Sequence, residues 1–284
     1  MKILLAGATG YLGCYIAKEL QRRHCFFRVI ARSPEKLQAH HIEASEVIQA
    51  ELTQPETLRQ CCQNIDVVIS TVGITRQKDG LSYRDVDYQA NMNLLHEALL
   101  SGVRKFIYVG VLRGEELRHL KICDAKEQFV EQLKNSGIDY CVIRPNGFFS
   151  DISEIFKMAQ KGRVYLFGNG SLRANPIHGA DLAVACVDAI ASSETEFAIG
   201  GPETLTQHEI ATLAFHVLGQ PPKITYIPDW VRVAFMKSVT FLTPQTVYGP
   251  LEFFMTVLAM DMRAPEYGHH TLRDYFTHLH QMKP

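Results

Sequence analysis

A short apolar run, Lys2–Ala6, breaks at a glycine, and a helical pattern begins at Tyr11. The turn between them reads Gly7-Ala8-Thr9-Gly10-Tyr11-Leu12-Gly13, and Leu12, Tyr15, Ile16 and Leu20 follow at helical spacing over Tyr11–Arg22. A strand that delivers the chain through a glycine-rich turn into a helix opens a βαβ unit, and the three glycines have separate roles. Gly7 permits the tight turn, Gly10 lets backbone N–H groups approach a pyrophosphate, and Gly13 lets the helix lie close to the sheet. The spacing is one residue wider than the G-x-G-x-x-G of many dinucleotide sites. Gly7, Thr9, Gly10, Tyr11, Leu12 and Gly13 are therefore the first candidates for contact with a nucleotide.

The rest of the first half repeats the alternation. Arg28–Ala31, Glu46–Ala50, Asp66–Thr71, Lys105–Gly110 and Asp139–Arg144 read as strands, with helices over Val86–Ser101 and Lys126–Asn135. The strand runs are apolar almost throughout, as expected of parallel strands covered on both faces by helices. The expected fold is α/β, a Rossmann-like doubly wound parallel sheet. It should occupy residues 1–150 with further core elements at 177–200, and a smaller substrate-covering lobe should come from 151–176 and 201–284.

In the second half, Ala180–Ile190 and Thr206–Leu218 read as helices and Glu196–Ile199 as a strand. Thr206 and Glu209 form a capping box, and Gly219 followed by Pro221 and Pro222 ends that helix. Residues 230–262 are strongly apolar, Arg232, Lys237, Glu252 and Asp261 being the only charges. Pro244 and Gly249–Pro250 split the segment below the roughly 20 residues that a bilayer span needs. The segment is expected to form helices covering an apolar pocket; ordinary core or a subunit interface is the alternative.

Lys and Arg number 29 against 30 Asp and Glu, a net charge of −1, which gives no general positive field for nucleic acid. The seven cysteines include no CxxC pair, so reduced thiols and a cytoplasmic location are expected. Cys61-Cys62 reads as a helix face rather than a redox pair. The N-terminal apolar run is too short for a signal peptide or a membrane span. Histidines cluster at His40-His41, His269-His270 and His278/His280, but adjacent histidines diverge and no carboxylate or cysteine completes a ligand set nearby, so no metal is expected. Asp181 reads as helix N-terminal chemistry in the helix that His178 begins. Tyr83, Tyr88 and Tyr108 are possible proton donors, Tyr108 reading as core.

The end of the second strand selects the cofactor. An acidic residue there accepts from ribose hydroxyls, whereas an arginine accommodates a 2′-phosphate. Here the stretch is Ala31-Arg32-Ser33-Pro34-Glu35-Lys36. The Arg32 fork, the Ser33 hydroxyl and the Lys36 charge favour NADP(H), the alternative being a solvated surface arginine. Glu51, just past the third strand, is placed to contact adenine.

GATGYLG, ARSPEK, DVVISTVG, the helix with Asn91-Met92-Asn93-Leu94, GVRKFIYVG and SGIDYCVIRPNGFF together resemble the atypical short-chain dehydrogenase/reductases. The NmrA-like and isoflavone-reductase-like branches are the most similar, over most of residues 1–200. IHGADLA and IGGPETLTQHEIA resemble later elements of that superfamily, and APEYGHHTLRDYF resembles the C-terminal end of vinyl-reductase-like members. The resemblance implies a cofactor across the carboxyl ends of the strands, a placement that takes in Thr71, Val72 and Gly73. It also implies that the loop of Pro145, Asn146 and Phe148 lies beside the nicotinamide.

The resemblance stops at the chemistry. Members with the Ser-Tyr-Lys set carry serine where this chain has Gly110 and tyrosine where it has Ile122; only Lys126 remains. Isoleucine cannot donate a proton, so epimerase and ordinary alcohol dehydrogenase activities are not expected. Isoflavone-reductase-like enzymes have a lysine at the distance that separates Lys126 from Gly137, and this makes Lys126 the catalytic candidate as well as a ribose contact. Two classes of function follow: an NADPH-dependent reductase of a small apolar carbonyl, quinone or enone, or a catalytically silent NADP-binding redox sensor or partner-binding protein.

Overall fold

The computed structural model describes residues 1–74 and 80–282. Along the chain run β1 (Lys2–Ala6), α1 (Tyr11–Arg22), β2 (Phe26–Ala31), α2 (Glu35–Ala39), β3 (Glu46–Gln49), β4 (Val67–Ser70), α3 (Asn91–Leu100), β5 (Lys105–Val109), α4 (Lys121–Asn135) and β6 (Asp139–Pro145). These are followed by α5 (Phe149–Gln160), β7 (Val164–Phe167), β8 (Arg173–Ala174), α6 (Gly179–Asp188), β9 (Glu196–Ile199), β10 (Leu205–Thr206), α7 (Gln207–Val217), β11 (Ile224–Ile227), α8 (Asp229–Leu242), α9 (Gln245–Val257) and α10 (Leu272–Gln281).

Seven strands form one sheet in the order β3-β2-β1-β4-β5-β6-β9. The pairings are parallel, with Leu5 opposite Val29 on one side and Ile69 on the other. Val142 and Asn146 donate to the carbonyls of Thr195 and Ile199 in the same direction, which continues the parallel pattern to β9. Chain order reverses between β1 and β4, whose neighbours β2 and β5 lie on opposite sides. In such sheets the ligand crevice opens at the carboxyl ends of the strands at this reversal. The turn after β1 and the loop after β4 flank it.

The chain divides into two compact units, residues 1–144 with 182–197, and residues 145–181 with 198–284. In the first, Leu4, Val68, Phe106, Tyr108 and Val142 pack with Leu94, Phe129 and Leu133 from the helices. The Phe129 ring on α4 meets Tyr108 at 4.7 Å and Phe106 at 5.8 Å between centroids. Each such fully buried side chain contributes about 1.5–3 kcal/mol. In the second unit Phe149, Phe156, Phe215 and Phe276 form the core, Phe156 and Phe276 stacking at 4.8 Å.

The structure alters several sequence expectations. The helix expected from Val86 starts earlier, as a π-helical stretch Arg84–Ala90 that leads into α3. Helix α4 starts at Lys121, five residues before the expected boundary at Lys126, because Ile122, Cys123 and Ala125 face the core in its first turns. Cys61 and Cys62 lie in turns, not on a helix; their buried sulfurs are 3.7 Å apart. Helices α5 and α10 and strands β7 and β11 were not anticipated. The 230–262 segment does form helices, α8 and α9, yet no residue of α8 is buried. Among the described residues no helix is long and apolar enough to cross a membrane.

Candidate nucleotide and active site

The turn after β1 is shaped by crowding. Gly7 has φ +88°, a conformation L side chains rarely adopt, and a Cβ there would stand 2.5 Å from Thr71 Oγ1. At Gly13 a Cβ would come within 2.0 Å of the Gly7 carbonyl oxygen, so only glycine lets α1 sit this close to the turn. The Gly10 N–H donates to the Gly7 carbonyl at 2.9 Å, and no side chain caps the start of α1. An uncapped helix N-terminus at the end of a parallel strand is an anion site, with backbone N–H groups and the helix dipole both favouring negative charge. Thr9 and Tyr11 are half-buried and Leu12 is buried there; the Tyr11 ring meets Tyr15 edge-on at 5.3 Å. Thr71 Oγ1 donates to the Ala6 carbonyl at 3.2 Å, tying the loop after β4 to the end of β1.

Arg32 directly follows β2 and is exposed, its Nε 3.5 Å from the Glu51 carboxylate. Ser33 is half-buried and Lys36 exposed on α2. The structure thus brings Arg32 and Glu51 together, the former suited to a phosphate and the latter to ribose hydroxyls.

Behind the loop after β4 lies a group that sequence reading did not find. Asp87, in the π-helical stretch, is fully buried; its Oδ2 accepts the Ile74 N–H at 3.2 Å and its Oδ1 lies 2.8 Å from Lys126 Nζ. A Cβ at Gly73 would stand 2.6 Å from both Asp87 Oδ1 and Lys126 Nζ. Gly73 therefore marks where the ammonium reaches the carboxyl end of the sheet. Val72 is buried alongside; its N–H donates to Ser70 Oγ, and its carbonyl accepts from Asn91 Nδ2 at 3.2 Å. Burial opposes the Lys126 charge, but Asp87 and then Tyr108 outweigh it and hold its pKa above the ordinary lysine range. The Tyr108 ring centroid is 5.8 Å from Nζ, and burial pushes the phenol up to about 12. A signal for Asp87 was present: Asp87, Asn91, Leu94, Leu95 and Ala98 share one buried helical stripe, and a carboxylate on such a stripe requires a partner.

The position of the family serine is Gly110, whose N–H donates to the Ile143 carbonyl at 2.9 Å, and that of the tyrosine is the buried Ile122. Tyr83 is buried, while Tyr88 is half-buried under the Arg84 guanidinium. In the second unit Pro145 and Asn146 are buried and Phe148 precedes α5. Asn146 Nδ2 donates to Asn175 Oδ1 and the Met262 carbonyl at 2.8 and 2.6 Å, and its Oδ1 accepts from the Gly147 N–H, so its amide serves that unit's own framework. The expectation that no carboxylate completes a set with His269-His270 is corrected: one joins them from outside their sequence neighbourhood. Buried Asp181 accepts from both backbone N–H groups at 3.1 and 3.0 Å, and its Oδ1 meets His270 Nδ1 at 2.7 Å. The fold brings these groups together from distant points of the chain.

The NAD(P)H-binding family model matches residues 7–193. The chain belongs to this NAD(P)H-binding family. Among similar proteins is the chloroplastic divinyl chlorophyllide a 8-vinyl-reductase of Zea mays, 26% identical over 96% of this chain and 78% of that protein. Photosystem II assembly factor Ycf39 of Synechocystis is 25% identical over 84% of this chain and 74% of that one. Solved structures share the fold: a nucleoside-diphosphate-sugar epimerase from Staphylococcus aureus has a TM-score of 0.74 at 19% identity, covering 98% of this chain and 100% of the other. An NADPH-dependent quinone oxidoreductase from Escherichia coli, complexed with NADPH, has a TM-score of 0.74 at 19% identity over 98% and 99% of the two chains. The residues fit the cofactor of an NAD(P)H-binding protein, with a glycine-lined turn, an uncapped helix start and an exposed arginine after β2.

Proposed function

We propose that this protein is an NADPH-dependent reductase of a small apolar carbonyl, quinone or enone. One observation carries the reading: the Lys126 ammonium reaches Gly73 at the carboxyl end of the sheet, in the same unit as the Gly7–Gly13 turn. Backbone groups of Gly7–Gly13 would hold the pyrophosphate. Arg32, with Ser33 and Lys36, would hold the 2′-phosphate, and Thr71, Val72 and Gly73 would line the path between them. When bound, the nicotinamide supplies a hydride. Lys126 would bind the ribose hydroxyls and stabilise negative charge developing on the substrate oxygen. Similarity to a vinyl-reductase supports reduction of a conjugated apolar substrate. The test is NADPH oxidation against a panel of quinones and enones; stoichiometric NADPH loss with at least one acceptor is expected.

The second reading is an NADP-binding protein that docks a partner without turnover. It is favoured by Gly110 and Ile122 in place of serine and tyrosine and by the exposed apolar surface of α8, where Trp230 is 71% and Phe241 88% exposed. Similarity to an assembly factor supports it as well. Tight NADPH binding with no oxidation by any acceptor is its signature.

A further inference from the structure

Asp87 is placed as no residue with a purely architectural role need be. It is fully buried in a π-helical stretch, a rare conformation that recurs at functional sites. Asn91 holds that stretch in register by donating from Nδ2 to the carbonyls of Val72, Val86 and Asp87 at 3.2, 3.3 and 3.0 Å. One Asp87 oxygen takes the Ile74 N–H from the loop after β4, and the other faces Lys126 at 2.8 Å. A single carboxylate thus joins the loop along the cofactor path to the one polar group left from the family's catalytic set.

We infer that Asp87 is a positioning residue, which fixes the Lys126 ammonium beside Gly73 as a standing cation rather than a proton donor. The inference rests on the reductase reading for its chemistry but not for its geometry. Among the described residues the groups facing Lys126 are Asp87 from the π-helical stretch, the Tyr108 phenol from β5 and the Cys123 thiol from its own helix. Tyr108 is fully buried, and with its pKa pushed up to about 12 its phenol is neutral at neutral pH and supplies no counter-charge. Glu127, next along α4, is occupied by Arg144 through two hydrogen bonds of 2.6 and 2.8 Å. Among the described residues Asp87 is therefore the counter-charge that holds Lys126; burial pushes its carboxyl up, and the Lys126 ammonium pulls it back towards the ionised form. Without it, burial would favour the neutral amine. An ammonium so held is a weak acid at neutral pH, because efficient proton donors have pKa values near the working pH. As a fixed positive charge it can still orient ribose hydroxyls and stabilise an oxyanion. In this account the proton consumed in the reduction comes from solvent.

The test uses the full-length protein in two ways. Heteronuclear NMR of the lysine side chains follows the Lys126 ammonium of the cofactor-free protein from about pH 6 to about pH 10.5, and fluorescence titration follows NADPH affinity over the same range. The wild-type ammonium should remain protonated and contribute no decline in affinity. In Asp87→Asn, Lys126 should titrate within the range and NADPH affinity should fall about tenfold more than in wild type as pH rises, a shift of one or more pKa units being ordinary for a buried lysine that loses its counter-charge. Asp87→Glu should restore the wild-type profile. If Asp87→Asn does not fold, Gly73→Ala decides, because its Cβ crowds both partners and should produce the same alkaline loss. An Asp87→Asn profile, or failing that a Gly73→Ala profile, that coincides with wild type overturns the inference. Absence of turnover with every acceptor overturns the reductase reading alone, because neither measurement needs a substrate.

Discussion

A β-carbon on Gly13 would stand 2.0 Å from the carbonyl oxygen of Gly7, whereas one on Gly10 would stand 3.3 Å from the same atom. The two glycines are thus required for different reasons. Gly13→Ala should push α1 off the turn, lowering both thermal stability and NADPH affinity. Gly10 has φ −80° and ψ 169°, open to alanine, so Gly10→Ala should leave the melting temperature nearly unchanged while weakening NADPH about tenfold or more by blocking backbone approach. Calorimetry paired with fluorescence titration checks this; equal melting losses in both variants would contradict it.

Arg32 and Glu51 lie 3.5 Å apart, and on the proposed reading they set cofactor preference together. Charge-assisted hydrogen bonds contribute about 1.5–3 kcal/mol, so Arg32→Ala should cost NADPH affinity roughly tenfold or more and NADH affinity little. Glu51→Gln removes a carboxylate that competes for the arginine and repels a phosphate, so it should raise the preference for NADPH. Titration of both cofactors against the three proteins is the measurement, and equal wild-type affinities would count against the assignment of Arg32.

Arg144 joins β6 to α4 through its bidentate pair with Glu127, and it also bonds Glu196 and the Val111 carbonyl. Breaking a buried pair from one side leaves an uncompensated charge. Arg144→Met should therefore cost about 3–5 kcal/mol in chemical denaturation. The double variant Arg144→Met/Glu127→Leu should recover much of that loss. A single variant within about 1 kcal/mol of wild type would show the pair to be dispensable.

Burial, then the neighbouring His270, depresses the His178 pKa to about 4 from its ordinary 6.5. Between those values the unfolded chain binds more protons at this site than the folded one. The stabilisation is thus complete above about pH 6.5 and is lost as pH falls towards 4. His178 stacks on His270 at 4.4 Å and meets Phe149 at 5.6 Å, contacts a phenylalanine keeps, while its Nδ1, which accepts the Ala180 N–H at 3.3 Å, would be lost. His178→Phe should flatten part of the acid-side fall in melting temperature. An unchanged slope would remove His178 from the pH response.

The sheet was legible because its strands are apolar on both faces, and the turn because Gly7, Gly10 and Gly13 are read by local sterics. The bounds of β1 and α1 follow from residues adjacent in sequence. The Asp87–Lys126 pair was not legible in that way. Asp87 falls on the buried stripe of Asn91, Leu94 and Ala98, but its partner lies on another element, and nothing adjacent in sequence pairs it with Lys126. Asp181 with His269 and His270 escaped for the same reason, since only the folded tail brings those histidines to the helix that Asp181 opens. Helix α5 was overlooked although Phe149, Ile152, Ile155, Phe156 and Ala159 mark its apolar face.

The proposed reaction is hydride delivery from NADPH bound on the Gly7–Gly13 turn. The most direct measurement is anaerobic incubation with NADPH deuterated at C4 and each quinone or enone of the panel, followed by mass spectrometry of the products. NADPH loss in step with product formation is expected. For an enone, deuterium should be retained on the product carbon, the transfer being abolished in the Gly13→Ala variant. Tight NADPH binding with no deuterium transfer and no NADPH loss to any acceptor would contradict it.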